Sequence, residues 1–308
     1  MSSSNHRPLS GRDLLAALCV VLIWGTNFIA MKVGLRSFTP FQLGAGRYVF
    51  AVLPLILFIR PPQLPPRWVV LYGLCQGVGQ FGLLFLSLKV GMSAALASVV
   101  LQTQVFFTAL FGFVLLREHA SRALQGGLLL AALGLVCFGA NYLAPGQGGA
   151  TTAGGFVLCL ASAAMWAASN IVVRRAQKAT PQFDVMSFMV WSSTVPVLPF
   201  VALSLVFDDP ATRWQWLAAP AGAWAALAYL GWMATILAYA MWTGLLKRHP
   251  VNRVAPFSLG VPVVGISAGM LVLGDRITGW QWAGTALIVS ALVCVMFGGR
   301  WLGNAARA

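Results

Sequence analysis

Two cations stand inside stretches otherwise fit for lipid: Arg47, about seven residues into an apolar run, and Lys32, near the end of another. A charge at membrane depth is costly. It therefore snorkels to water, pairs with a backbone carbonyl, or faces a wet cavity where it holds an anion such as a substrate carboxylate. Around these cations the polar residues fall at helical spacings. Trp24 and Asn27 are three apart, Gln76 and Gln80 four apart, and Trp166 and Asn170 four apart. Trp232, Thr235, Tyr239 and Trp242 form a longer stripe, and Ser187, Trp191 and Thr194 another. An amide in hydrocarbon needs a partner, so these stripes are expected to turn inward. There they bond helix to helix or line a pocket for a small amphipathic solute.

The remaining reactive side chains point away from catalysis. All six acids, Asp13, Glu118, Asp184, Asp208, Asp209 and Asp275, map to the ends of apolar runs or to breaks between them. That leaves no acid inside a bundle whose burial would tune it for proton exchange, which argues against obligatory coupling through a buried carboxylate. Glu118-x-x-Ser121 and Asp275-x-x-Thr278 read as capping pairs, the hydroxyl capping the next helix while the carboxylate meets positive charge. The histidines, His6, His119 and His249, also lie at run ends, so neither an intramembrane Ser-His pair nor a haem or metal centre is expected. Cys19, Cys75, Cys137, Cys159 and Cys294 sit in apolar runs with no Cys-x-x-Cys pair and read as packing residues.

The elements that position these side chains follow from composition. The 308 residues are 59% hydrophobic and only 8% charged, against roughly a quarter charged in soluble domains. The chain is an integral membrane protein. Its net charge of +14 is dispersed rather than gathered into a basic surface, so no nucleic-acid partner is expected; the partners are the lipid bilayer and a small-molecule substrate, with no cofactor. The first apolar run continues from Leu14 past Trp24 and Phe28 to Leu35 without a cleavage-like site, and reads as a spanning helix.

Runs bounded by charge, proline or glycine predict ten helices, at about 14–35, 40–59, 68–88, 92–116, 122–142, 154–176, 183–206, 217–245, 252–273 and 280–299. The breaks, such as Arg60-Pro61-Pro62 to Arg67, Ala144-Pro145 to Gly149 and Asp208-Asp209-Pro210, are too short for a soluble catalytic domain. With both ends in the cytoplasm, that side gathers fourteen of the twenty Lys and Arg, Arg7, Arg174, Arg175, Arg248 and Arg307 among them, which favours that orientation.

An internal repeat is visible. Arg117-Glu118-His119-Ala120-Ser121 closes the fourth run and Gly274-Asp275-Arg276-Ile277-Thr278 the ninth; Trp24 to Asn27 in the first run echoes Trp166 to Asn170 in the sixth. Two halves, 1–146 and 147–308, are implied. Five helices per half is an odd number, so the second half enters from the opposite face and the repeat is inverted, as in transporters. Gly73/Gly77 and Gly265/Gly269 read as close-packing pairs, and Pro256 and Pro262 as a kink in the ninth helix.

Trp-Gly-Thr-Asn-Phe-Ile-Ala-Met-Lys (24–32), Gly-Ala-Gly-Arg-Tyr (44–48), Ala-Ser-Val-Val-Leu-Gln-Thr-Gln-Val-Phe-Phe-Thr (97–108) and Arg-Val-Ala-Pro-Phe-Ser-Leu-Gly-Val-Pro-Val-Val-Gly (253–265) resemble the EamA-type branch of the drug/metabolite transporter superfamily. The likeness covers nearly the whole chain; its long middle and late motifs most resemble exporters of O-acetylserine and cysteine, and the chain is also similar to YddG-type aromatic amino-acid exporters. It implies an all-α integral membrane fold of ten transmembrane helices in two inverted five-helix repeats, and export of amino acids or related metabolites from a bacterial inner membrane. It carries over to Trp24, Asn27, Lys32, Arg47, Gln102, Gln104 and Pro256. Two positions depart from the family pattern: Arg117-Glu118-His119 stands for Gly-Glu-Arg, and Asp275 for Glu.

The expected mechanism is alternating access around a cavity near the midplane. Arg47 or Lys32 would hold a carboxylate, with Asn27, Gln76, Gln80, Gln102 and Asn170 for hydrogen bonds. Trp24, Trp166, Trp191, Tyr239 and Trp242 would cover the side chain. Rival readings are export of toxic cationic or aromatic compounds, a lipid-linked flippase, a channel and, least favoured, an intramembrane enzyme.

Overall fold

The computed structural model describes residues 10–117, 121–143, 151–211, 213–249 and 251–305, all of them helical or in short connections. The expectations for His6, Arg7, Glu118, His119, the 144–149 break and Arg307 lie outside the described residues. Nine helices among the described residues are long and apolar enough to cross a membrane: α1 Gly11–Gly34, α3 Pro66–Lys89, α4 Ala94–Leu115, α5 Arg122–Asn141, α6 Ala153–Ala179, α7 Val185–Phe207, α8 Ala221–Leu246, α9 Ala255–Leu273 and α10 Gly279–Phe297. The tenth, α2, is the shorter Pro40–Val52. The run expected to continue to residue 59 stops there because Leu53 turns extended before Pro54, whose ring leaves no N–H for a further helical bond; a short 3₁₀ turn, Leu55–Leu57, follows. Pro196 likewise divides α7 into Val185–Thr194 and Val197–Phe207.

Local chemistry sets most of the starts. Ser10, with Asp13, and Thr39, with Gln42, form capping boxes on α1 and α2. Asp184 caps α7, Ser121 accepts from the Leu124 N–H at the start of α5, and Thr278 and Gln281 cap α10 reciprocally. The expected capping by both repeat hydroxyls is thus observed. Asp275 meets a positive helix end on another element, accepting from the Ala95 N–H at the start of α4 (2.9 Å).

Packing partners are exchanged between the halves. α1 packs on α9 as α6 packs on α4; α1 packs on α8 as α6 packs on α3; α2 meets α8 as α7 meets α3. Three pairs, α5 with α10, α2 with α7 and α4 with α9, map onto themselves. This reciprocity is what a two-fold relation between inverted five-helix halves requires. Irregular backbone repeats with it. α3 and α8 each carry a π-helical stretch, Gly73–Phe81 and Tyr229–Leu237. α4 and α9 each contain a 3₁₀ turn, and the residues just past them, Arg117 and Gly274, both take left-handed φ values of 55° and 69°.

Polar ties at the helix ends sort those ends onto two faces. On one face Asp13, at the start of α1, meets Arg248 (3.0 Å) and His249 (2.9 Å), just past α8. On the other face Thr39 and Ser204 both donate to Asp208, and Lys32 donates to the Leu88 carbonyl. The glycine pairs act in packing, as expected: Gly73 and Gly77 approach α7 at Ser192 and Pro196, Gly265 approaches Ser98, and Gly269 approaches Ala95. The five cysteines are all free.

Candidate functional site

Between α2, α3, α7 and α8 lies a narrow, partly open cleft with a cavity volume of about 20 Å³. α2 contributes Arg47 and Tyr48, and α3 contributes Tyr72, Gly73, Gln76, Gly77 and Phe81. α7 contributes Met189, Ser192, Ser193 and Pro196; α8 contributes Thr235 and Tyr239. Both π-helical stretches therefore reach the same cavity, one from each half.

Arg47 dominates its chemistry. The residue is 1% exposed, and its Nε and one terminal nitrogen have no hydrogen-bond partner. The guanidinium lies over the face of Phe81, 3.8 Å from the ring centre. A desolvated cation–π contact is worth about 2 kcal/mol, whereas removing an ion from water costs several kcal/mol. The ring alone does not balance the burial. An anion in the cleft would.

The wall beside it is built by interhelical hydrogen bonds. Gln76 donates to the Gln80 side chain (2.7 Å) and accepts from Ser169 Oγ (2.5 Å), and Ser162 donates to the Gln80 carbonyl. Gln76 thus joins α3 to α6 while lining the cleft. Tyr72 donates to Met189 Sδ, and Tyr48 stacks on Phe200 at 6.3 Å between ring centres.

Of the residues singled out in the sequence, Arg47, Gln76, Thr235 and Tyr239 line the cleft together, with the packing glycines Gly73 and Gly77. Trp24 and Trp242 stand one layer out: Trp24 touches Tyr239 (5.1 Å) and Trp242 (5.5 Å), and its indole N–H bonds the Ala234 carbonyl. Asn27 is buried with its side-chain oxygen unpartnered. Gln80 is held behind Gln76. Asn170 donates to Gln104 and Thr108, joining α6 to α4, and Gln102 reaches the Ser258 carbonyl on α9. Lys32 is committed to the Leu88 carbonyl, Trp191 to the Ile59 carbonyl, and Trp166 packs against the apolar core; none of the three lines the cleft.

Tyr48, Tyr72, Met189, Ser192, Ser193 and Pro196 escaped the sequence reading. On α7 the stripe 189, 192/193 and 196 was there to be found, one face round from the Ser187, Trp191 and Thr194 stripe. On α3 the π-helical stretch carries more residues per turn than an α-helix, so Phe81 rather than Gln80 follows Gln76 along the wall, and four-residue counting from Gln76 fails.

The comparisons with known proteins agree with this architecture. A probable amino-acid metabolite efflux pump of Salmonella typhimurium is 39% identical over 294 residues, covering 95% of this chain and 97% of the pump. A protein of the same description from Escherichia coli K12 is 37% identical with the same coverage. A solved crystal structure, 20% identical, superposes with a TM-score of 0.60 over 94% of this chain and 98% of its own, which speaks for the fold. The pattern of the EamA-like transporter family matches residues 12–140 and again residues 153–297, once per half, and the chain belongs to that family.

Proposed function

We propose that the protein exports amino acids or closely related metabolites across a bacterial inner membrane by alternating access, with the substrate carboxylate held by Arg47. The buried, incompletely partnered guanidinium in a cleft between the two halves carries this reading. The description of the Salmonella and Escherichia coli relatives as probable amino-acid metabolite efflux pumps supports the substrate class. Gln76, Thr235 and Tyr239 supply neutral hydrogen-bonding groups around the ligand, and Tyr48, Tyr72, Phe81 and Met189 supply an apolar wall. The halves, 1–146 and 147–308, rock about the cleft, with both termini cytoplasmic as the Lys/Arg bias favours. Binding and movement suffice; no bond of the substrate is made or broken.

Counterflow in proteoliposomes with a panel of labelled amino acids and their derivatives tests this. Saturable exchange above protein-free vesicles is the expected result, falling about tenfold or more in Arg47→Gln because a charge-assisted bond worth over 1.4 kcal/mol is lost. Equal uptake by vesicles with and without protein would overturn the proposal.

A further inference from the structure

We infer that the preferred ligand of the cleft is a net monoanion, a carboxylate whose nitrogen is acylated or absent, and that its export is electrogenic. This rests on the reading above that Arg47 takes a substrate carboxylate. The argument turns on what faces the other end of such a ligand. Arg47 is fully buried with its Phe81 side already occupied, and every other polar group in the cleft (Tyr48, Tyr72, Gln76, the two serines, Thr235 and Tyr239) is neutral.

No carboxylate among the described residues lines the cleft, and those nearest the helix ends are committed elsewhere. Asp13 holds Arg248 and His249, Asp208 accepts from Thr39 and Ser204, and Asp275 accepts from Ala95. Asp184 caps α7 and Asp209 accepts from Ala211. A zwitterionic amino acid would therefore bring an ammonium into a site whose side chains offer it no anion and which already contains a fixed cation. At an effective dielectric of about 20, like charges several ångströms apart weaken binding by on the order of tenfold or more. A monoanion neutralises Arg47 and leaves no charge over.

The energetics of the cycle follow. Arg47 returns with the protein, so the net charge moved per cycle is the ligand's own, one negative charge outward. An interior-negative potential drives that movement directly. Export then needs no acid inside the bundle to carry protons, in keeping with the placement of the carboxylates at helix ends.

The test uses purified full-length protein in liposomes with equal pH on both sides. Matched labelled pairs are compared: serine, methionine and phenylalanine, each with its N-acetyl derivative. Higher counterflow of the acetylated member of a pair is expected, with loss in Arg47→Gln. With valinomycin and an about tenfold potassium gradient directed outward, the N-acetyl anion should settle at about tenfold higher concentration outside than inside. The parent zwitterion should settle at equal concentrations. Parents carried as well as or better than their derivatives, or a derivative that ignores the potential, would overturn the inference while leaving the transport reading standing. Failure of every compound to exceed protein-free vesicles would overturn both.

Discussion

The guanidinium of Arg47, on α2, sits over the ring of Phe81, on α3, with its central carbon 3.8 Å from the ring centre. The contact joins two neighbouring helices of one half at the wall of the cleft, and it satisfies the charge only in part. Replacement of Arg47 by methionine, which keeps length and apolar contact, is expected to abolish transport while leaving thermal stability unchanged or raised by the equivalent of about 1–4 kcal/mol. Unfolding in detergent followed by intrinsic fluorescence checks it. A markedly lowered Tm would make Arg47 a structural residue.

Gln76 spends its side chain on two partners, Ser169 and Gln80. Gln76→Leu leaves both short of a buried bond and should destabilise by about 1–3 kcal/mol, more than Ser169→Ala. Combining the two substitutions should cost clearly less than their sum, since they remove the same bond. Additive losses in a double-mutant cycle would contradict the geometry.

Arg117 and Gly274 hold the same left-handed position in the two halves, but only one of them is a glycine. Arg117→Gly is expected to stabilise and Gly274→Ala to destabilise, each by about 1 kcal/mol. A side-chain carbon at Gly274 would meet nothing within 4 Å, so backbone conformation alone sets the second effect. Tm shifts of opposite sign are the readout.

The floor of the cleft depends on small residues. A Cβ at Gly77 would stand 1.9 Å from Pro196 Cγ, and one at Gly73 would stand 2.6 Å from the Ser192 carbonyl oxygen, so alanine at either position forces α3 and α7 apart. Both variants should lose transport and stability together. Gly139→Ala, where the new carbon meets nothing within 4 Å, should instead gain about 0.5–1 kcal/mol. Loss of stability in Gly139→Ala, or tolerance in Gly77→Ala, would show the packing to be otherwise.

Patterning alone carried the fold a long way. The bilayer admits only segments that satisfy their own backbone, so apolar length marks helices, and the paired motifs ending in Ser121 and Thr278 betray the repeat without any contact being known. Pro54 set a large boundary error: a run apolar enough to continue was stopped by a missing N–H rather than by polarity.

Arg47 was conspicuous in the sequence because a charge in an apolar run has few explanations, and Gln76 and Tyr239 because their stripes could not face lipid. What the linear order could not decide is which of several equally polar stripes meet. Asn170 and Gln76 look alike as sequence, yet one joins α6 to α4 through Gln104 while the other lines the cleft, because helix rotation is fixed by packing against neighbours distant in the chain. Lys32 and Arg47 also look alike in sequence, as cations within apolar runs. Only the fold brings the Leu88 carbonyl to the first and leaves two nitrogens of the second without a partner, and that difference is created by helix ends and side chains converging from separate segments.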